Sequence, residues 1–135
     1  MDIEIREYQD QDFEGVCHIL QEAFSCSRGK IEGDTYREVV AIKDQKVVGY
    51  LLLTKVWNPM KEKNYMLVDY VCVSSECRGQ GIGKQLLDFA EKIAKEEDVM
   101  YLQLTCSHFR VAAHKLYEKC NYVKRDSDIF RKEIV

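Results

Sequence analysis

The feature that most constrains the fold is an apolar run that leads through three closely spaced glycines into an amphipathic segment. Residues 65–73 are apolar apart from Asp69, which is typical of a strand buried on both faces in the middle of a sheet. From Ile82 onward, apolar residues recur at helical spacing, which predicts a helix with one buried face. The apolar positions are Ile82, Leu86, Phe89, Ala90 and Ile93, and the intervening polar ones are Lys84, Asp88, Lys92 and Lys95.

The rest of the chain extends this strand and helix into one mixed α/β (α+β) pattern. The sequence predicts a single domain over residues 1–135, with a central mixed sheet of about six or seven strands flanked by about four helices. Residues 44–46 predict a hairpin turn between two strands, and residues 25–36 an irregular connection. The predicted strands are 3–7, 39–42, 47–56, 65–73, 100–105, 122–123 and 129–135, and the predicted helices begin near residues 13, 82 and 111, with a helical turn within 25–36.

Composition excludes several classes of function. The net charge is −3 without runs of one sign, which argues against nucleic-acid binding. No apolar stretch approaches the ~20 residues that span a bilayer, and the charged start does not resemble a signal peptide, so we expect a cytoplasmic protein without membrane contact. The six cysteines and three histidines lack metal-ligand spacing, so no metal is expected, and we interpret the cysteines mostly as small buried hydrophobes.

The glycines have a chemical interpretation as well as a structural one. Glycine permits positive φ and leaves the backbone accessible, and the free N–H groups at a helix start favour phosphate. Gly79, Gly81 and Gly83 have the wrong spacing for a dinucleotide fingerprint, and Gly83-Lys84 lacks the remainder of a Walker A loop. A tight turn without a ligand remains an alternative.

Two segments resemble a known family. Residues 71–87, VCVSSECRGQGIGKQLL, resemble the acyl-CoA signature of the GNAT superfamily of N-acyltransferases. Residues 113–122, AHKLYEKCNY, are similar to that family's late helix end. Asn121 stands where the family usually has glycine, and we expect asparagine to preserve a left-handed helix end.

The resemblance implies acetyl-CoA as co-substrate and assigns its binding residues. The pyrophosphate would lie on the backbone amides from Arg78 to Gly83, with Lys84 beside it. The pantetheine arm would pair with the backbone of the strand segment Val71–Val73, as an added strand does. The implied cofactor-binding residues are Val71, Cys72, Val73, Arg78, Gly79, Gln80, Gly81, Ile82, Gly83 and Lys84.

The expected reaction is direct acetyl transfer to a primary amine in a ternary complex. Asp69 is the candidate base, since regular alternation would place it on the face of Val71, and burial would raise its pKa. It could instead accept structural hydrogen bonds or attract a cationic acceptor. The resemblance makes Tyr117 the candidate acid for the departing thiolate, although a tyrosine there could simply be packing. Alternation places Cys72 on the face opposite Val71 and Val73, which argues against an acetyl-cysteine intermediate.

The acceptor amine stays open at this stage. Residues 25–36, including Glu32, Asp34 and Tyr36, and residues 57–65 are expected to wall its site, with His108 and Arg110 as weaker candidates. A small amine, an amino sugar, an amino acid and a protein amine all fit. The alternative functions are a non-catalytic acyl-CoA-binding regulatory module and a thiol redox protein, and the family also suggests a homodimer.

Overall fold

The computed structural model describes residues 2–134 and divides the chain into two compact units, one ending at Thr105 and one beginning at Cys106. The single domain predicted over residues 1–135 stays a prediction. The first unit contains β1 (Glu4–Glu7), α1 (Phe13–Phe24), β2 (Tyr36–Lys43), β3 (Lys46–Asn58), β4 (Lys63–Val73), α2 (Ile82–Glu96) and β5 (Leu102–Gln103), and the second contains α3 (Val111–Lys119).

The five strands form one mixed sheet in the order β1-β2-β3-β4-β5. Each neighbouring pair among the first four strands is antiparallel, and β5 runs parallel to β4. The predicted hairpin between β2 and β3 is confirmed, and Asp44 and Gln45 at its tip both have positive φ, as a two-residue loop of this twist requires. The mixed α/β class predicted from the sequence is therefore confirmed.

The two longer helices cover opposite faces of this sheet. On the face that we call the α1 face, one apolar cluster joins α1 to the strands; its buried members are Val16, Ile19, Leu20, Val40, Tyr50 and Cys72. On the α2 face, a Cβ at Gly49 would lie 3.0 Å from both Ile82 and Leu86, so a larger residue there would crowd the packing of α2 on the sheet. The core thereby fixes the start of α2 against β3.

The number of strands and helices is lower than predicted. Five strands and three α-helices occur in residues 2–134, with short 3₁₀ turns at Asp10–Asp12 and Ser75–Cys77. The prediction of closing strands at 122–123 and 129–135 is wrong for the described residues, which do not include Val135. Their β-rich composition indicated a strand, but a strand also needs a ladder partner, and Val123, Ile129 and Phe130 are instead exposed.

Candidate functional site

The glycine loop connects the end of β4 to α2 and keeps its backbone accessible. The Ser74 amide donates to the Val48 carbonyl at 2.8 Å, and the buried Cys77 holds the 3₁₀ turn in the core. Gly79 has φ 80° and Gly81, the N-cap of α2, has φ 77°. A Cβ at either glycine would meet nothing within 4 Å. Backbone conformation therefore demands glycine here, and the space above the loop is open.

The start of α2 suits an anion. The Gln85 amide donates to the carbonyl of Gly81, the N-cap residue, at 3.1 Å, so the hydrogen-bonded ladder of α2 begins at Gly81. No acidic side chain lies in the first turn. The backbone amides and the helix dipole together favour a phosphate at this place.

Three cationic side chains lie on this loop or next to it. Arg78 is exposed, while the Lys84 ammonium pairs with the Asp88 carboxylate at 2.8 Å on the helix surface. Lys43, at the end of β2, donates to the Gln80 side-chain oxygen at 3.2 Å. Sequence reasoning missed Lys43 because 37 residues separate it from Gln80, and only the hairpin brings it to the loop.

A β-bulge interrupts β4 where the predicted pantetheine segment begins. Leu52 pairs with Asp69 and Tyr50 pairs with Cys72, so two residues of β4, Tyr70 and Val71, oppose one residue of β3. Tyr70 has φ 56°, a left-handed conformation that a bulky side chain adopts rarely.

The bulge changes which side chains share a face. Directly paired residues lie on one face, so Asp69 and Cys72 both lie on the α1 face with Leu52 and Tyr50. Val73 pairs with Gly49 and therefore lies on the α2 face. The predicted alternation is wrong for Asp69 and Val73, which lie on opposite faces, because it assumed a regular strand. The opposite orientation of Cys72 and Val73 is confirmed.

The carboxylate and the thiol on this face differ in their protonation. Asp69 is half-buried, and burial raises the pKa of its carboxyl group. Within residues 2–134 this carboxylate has no hydrogen-bond partner among backbone or side-chain groups. Burial raises the pKa of the Cys72 thiol to about 12, so the thiol stays protonated at neutral pH and is a poor nucleophile.

The outer edge of β4 is mostly free of strand pairing. The strand β5 pairs only with Met66 and Leu67. From Val68 to Val73, no other described strand pairs with this edge. An extended ligand can therefore pair with the backbone of β4 there, as the sequence predicted for residues 71–73.

A cavity of about 310 Å³ opens on the α1 face beside the bulge. The irregular segment after α1 contributes residues 26–31 to its lining, whereas none of residues 57–65 lines it. Glu32 and Asp34 also lie outside its lining. The remaining lining residues are Leu20, Tyr36, Tyr50, Leu52 and Tyr70.

A buried polar network anchors the segment that walls this cavity. The Arg28 guanidinium donates to both carboxylate oxygens of Glu38, at 2.7 and 2.8 Å, and the Tyr50 hydroxyl donates to the same carboxylate at 2.7 Å. Arg28 also lies 4.2 Å from the centre of the Tyr8 ring. The charges of Arg28 and Glu38 neutralise each other, and their hydrogen bonds hold residue 28 against β2. The sequence offered no local signal for this pairing.

The second unit carries the predicted acid, Tyr117. Asn121 has φ 69°, and the Tyr122 amide donates to the Tyr117 carbonyl at 2.9 Å, so the left-handed end predicted for this helix is confirmed. Burial raises the pKa of the Tyr117 phenol, which keeps its proton at neutral pH. His108 and Arg110 lie on the surface just before α3.

The six cysteines are free thiols, of which only Cys72 and Cys77 are buried. The interpretation of the cysteines as mostly buried is thus wrong for the other four, which are half-buried. Within residues 2–134, no three His, Cys, Asp or Glu side chains are grouped to hold a metal ion. None of the described helices combines the length and apolar character needed to cross a membrane.

Comparison with known proteins gives one consistent result. The family model of the acetyltransferase (GNAT) family matches residues 3–122. Streptothricin acetyltransferase from Escherichia coli is 30% identical over 90 residues, which cover 67% of this chain and 49% of that protein. The chain thus aligns with about half the length of this curated relative.

Solved structures share the fold at low identity. An aminoglycoside acetyltransferase, HMB0005, from an uncultured soil metagenomic sample has a TM-score of 0.89 at 16% identity, with 100% of both chains covered. A ribosomal-protein-alanine N-acetyltransferase from Brucella melitensis biovar Abortus 2308 has a TM-score of 0.83 at 20% identity, covering 98% of this chain and 100% of the other.

Proposed function

The chain belongs to the acetyltransferase (GNAT) family, and on that premise we propose that it transfers the acetyl group of acetyl-CoA directly to a primary amine. The observation that carries the proposal is the glycine loop. Gly79 and Gly81 adopt left-handed conformations between β4 and the start of α2, and the space that a Cβ would enter at each is open. A loop that served only as a turn would need the conformations but not the open space.

The proposed cofactor site uses backbone more than side chains. The pyrophosphate lies on the amides from Arg78 to Gly83, and Arg78, Lys84 and Lys43 supply positive charge around it. The pantetheine arm runs along the unpaired edge of β4 at residues 71–73. This accounts for plain apolar side chains at Val71 and Val73, because the binding groups there are N–H and C=O.

The proposed chemistry moves three protons. Asp69 takes a proton from the incoming ammonium, the amine nitrogen attacks the thioester carbonyl carbon, and the amide at Val71 or Val73 stabilises the oxyanion. The C–S bond then breaks, the thiolate leaves with a proton from Tyr117, and the phenolate regains a proton from the acetylated nitrogen, which is thereby left as a neutral amide. A carboxylate with a raised pKa and a phenol that keeps its proton both suit these roles.

The proposed acceptor site is the cavity on the α1 face. The bulge supports this choice, because it places Asp69 on the α1 face and puts Tyr70 in the cavity wall. The printed names of the relatives include a small-molecule acetyltransferase and a protein N-acetyltransferase, so they do not decide between acceptor classes. Cytoplasmic location and a homodimer remain predictions.

The test is calorimetric titration with acetyl-CoA, followed by an amine panel assayed as free thiol released. We expect micromolar binding and thiol release with some amines. Binding without release from a broad panel would favour the regulatory module, and absence of binding would refute the assignment of the glycine loop.

A further inference from the structure

We propose that the cavity on the α1 face selects primary amines with an apolar or aromatic body and a single cationic group, and that Tyr70 is its specificity-determining side chain. This inference rests on the proposed function, since it concerns the acceptor of that reaction. It is carried by three observations: the backbone of Tyr70, the composition of the cavity wall and the position of the carboxylates.

The backbone of Tyr70 is unusual for its place in the fold. Seven described non-glycine residues have positive φ, and Tyr70 is the one that lies within a strand. Its ring packs edge-to-face on Phe24 of α1, with 5.3 Å between ring centres. A strained conformation persists only where surrounding packing over-determines it, and such residues concentrate at functional sites. Here the bulge directs an aromatic ring into the wall of a cavity.

The wall of this cavity is aromatic and apolar. Three tyrosines, Tyr36, Tyr50 and Tyr70, line it together with the apolar side chains of Leu20, Ile31 and Leu52. Rings of this kind favour apolar bodies and also attract one cation through their π faces, an effect worth about 0.5–2 kcal/mol or roughly two- to thirtyfold in affinity.

The charged residues of the wall offer nothing to a second cation. The two charged lining residues are Arg28 and Lys30, and each is already paired with a carboxylate, Arg28 with Glu38 and Lys30 with Glu32 at 3.1 Å. No carboxylate is among the described residues that line the cavity. Asp69, opposite Leu52 on this face, is a carboxylate without an ion pair among the described residues, and the reacting amine occupies it.

A matched pair of acceptors tests this directly. Benzylamine presents an aromatic body with one ammonium, and para-xylylenediamine presents the same body with a second aminomethyl group. At saturating acetyl-CoA we expect benzylamine to have the higher kcat/KM by at least about tenfold, because the second ammonium enters a wall that offers it no counter-charge. Equal or faster turnover of the diamine would overturn the inference.

Variants of Tyr70 test the specificity role. Tyr70→Phe keeps the ring and should keep the preference, whereas Tyr70→Ala should raise the KM for benzylamine about three- to tenfold with little change for acetyl-CoA. Tyr70→Gly relieves the left-handed strain while it also removes the ring, so a loss of preference in both Ala and Gly variants assigns the effect to the ring.

The matched control is Tyr101, which is 47% exposed like Tyr70 and also packs on another ring, that of Tyr65 at 5.1 Å. It does not line the cavity, so Tyr101→Ala should leave the preference unchanged. An equal loss in the Tyr101 and Tyr70 variants would assign the effect to general destabilisation and would contradict the role of Tyr70.

Failure of the inference is distinguishable from failure of the proposed function. Thiol release that is faster with the diamine would refute the selectivity and leave the acetyltransferase intact. Calorimetric titration of both amines into the CoA-loaded protein gives the same ratio without turnover, and tighter diamine binding there would also refute the selectivity. No binding of acetyl-CoA at all would refute the proposed function, and this inference with it.

Discussion

Substitution of Gly81 by glutamate and by alanine separates the conformational role of the glycine loop from its role in binding. Gly81 has φ 77°, so any side chain there is held in the left-handed region at a cost of roughly 1–2 kcal/mol. Nothing lies within 4 Å of a Cβ at this position, so the Cβ that both variants add meets no steric clash. Both should fold and should lose a similar amount of stability.

The two variants differ in charge at the proposed phosphate site. For a chain of this length, a loss of about 1–2 kcal/mol lowers Tm by roughly 3–8 °C in both variants. A glutamate carboxylate about 4 Å from one phosphate charge costs up to ~4 kcal/mol at an effective dielectric of 20. Rotation of the side chain toward solvent and screening by salt reduce this, so we expect CoA to bind at least about tenfold more weakly to Gly81→Glu than to Gly81→Ala.

The assay combines calorimetric titration with CoA and thermal unfolding of the free proteins. Matched Tm values with a tenfold or larger gap in Kd would support a phosphate on this loop, and the gap should shrink as salt is raised. Identical Kd values for the two variants would refute the placement of the pyrophosphate, because a negative charge at the N-cap of α2 would then have no effect on the ligand.

Three further predictions follow from the other groups of the site. Tyr117→Phe should lower kcat about 10²-fold at saturating acetyl-CoA with an unchanged Kd for CoA, and an equal kcat would exclude a role for the phenol as acid. Burial raises the pKa of Asp69, so its ionised form lowers the free energy of unfolding above that pKa and has no such effect below the unfolded value of about 3.9. Asp69→Asn should therefore raise Tm at pH 8 but not at pH 3. The same variant should abolish thiol release. A lower Tm at pH 8 would show that the carboxylate is structural. Glu38→Gln leaves the Arg28 guanidinium without its buried counter-charge and should cost about 3 kcal/mol by urea unfolding, whereas Glu32→Gln, at an exposed pair, should cost less than about 0.5 kcal/mol. Equal losses in these two glutamine variants would contradict the role of the buried network.

Local pattern predicted the parts of the fold whose cause is local. The apolar run of β4, the periodicity of α2 and the turn residues between β2 and β3 each lie within a few positions of the structure that they determine. The prediction of the late strands was wrong for a different reason. A β-rich segment forms a strand only with a ladder partner, and composition does not say whether such a partner exists.

The same distinction between local and tertiary causes applies to the candidate site. The left-handed turns at Gly79 and Gly81 could be predicted because glycine is itself their cause. The bulge at Tyr70 could not, since tyrosine favours regular strands and nothing beside it marks a shift of register. The pairing of Arg28 with Glu38 is a tertiary contact of the same kind, with no trace in the periodicity of either segment.

The bulge connects the two halves of the proposed reaction through consecutive residues. In a regular strand, Asp69 and Val73 would share a face, and the base would then lie on the α2 face, where the start of α2 packs against Gly49. One extra residue moves Asp69 to the cavity side and leaves Val73 on the other face. Tyr70 takes the left-handed conformation that this requires, and its ring packs on Phe24. The proposed acceptor site and the proposed thioester site thus use adjoining residues of β4. Deletion of Tyr70 or Val71 should therefore disrupt both sites while the sheet survives.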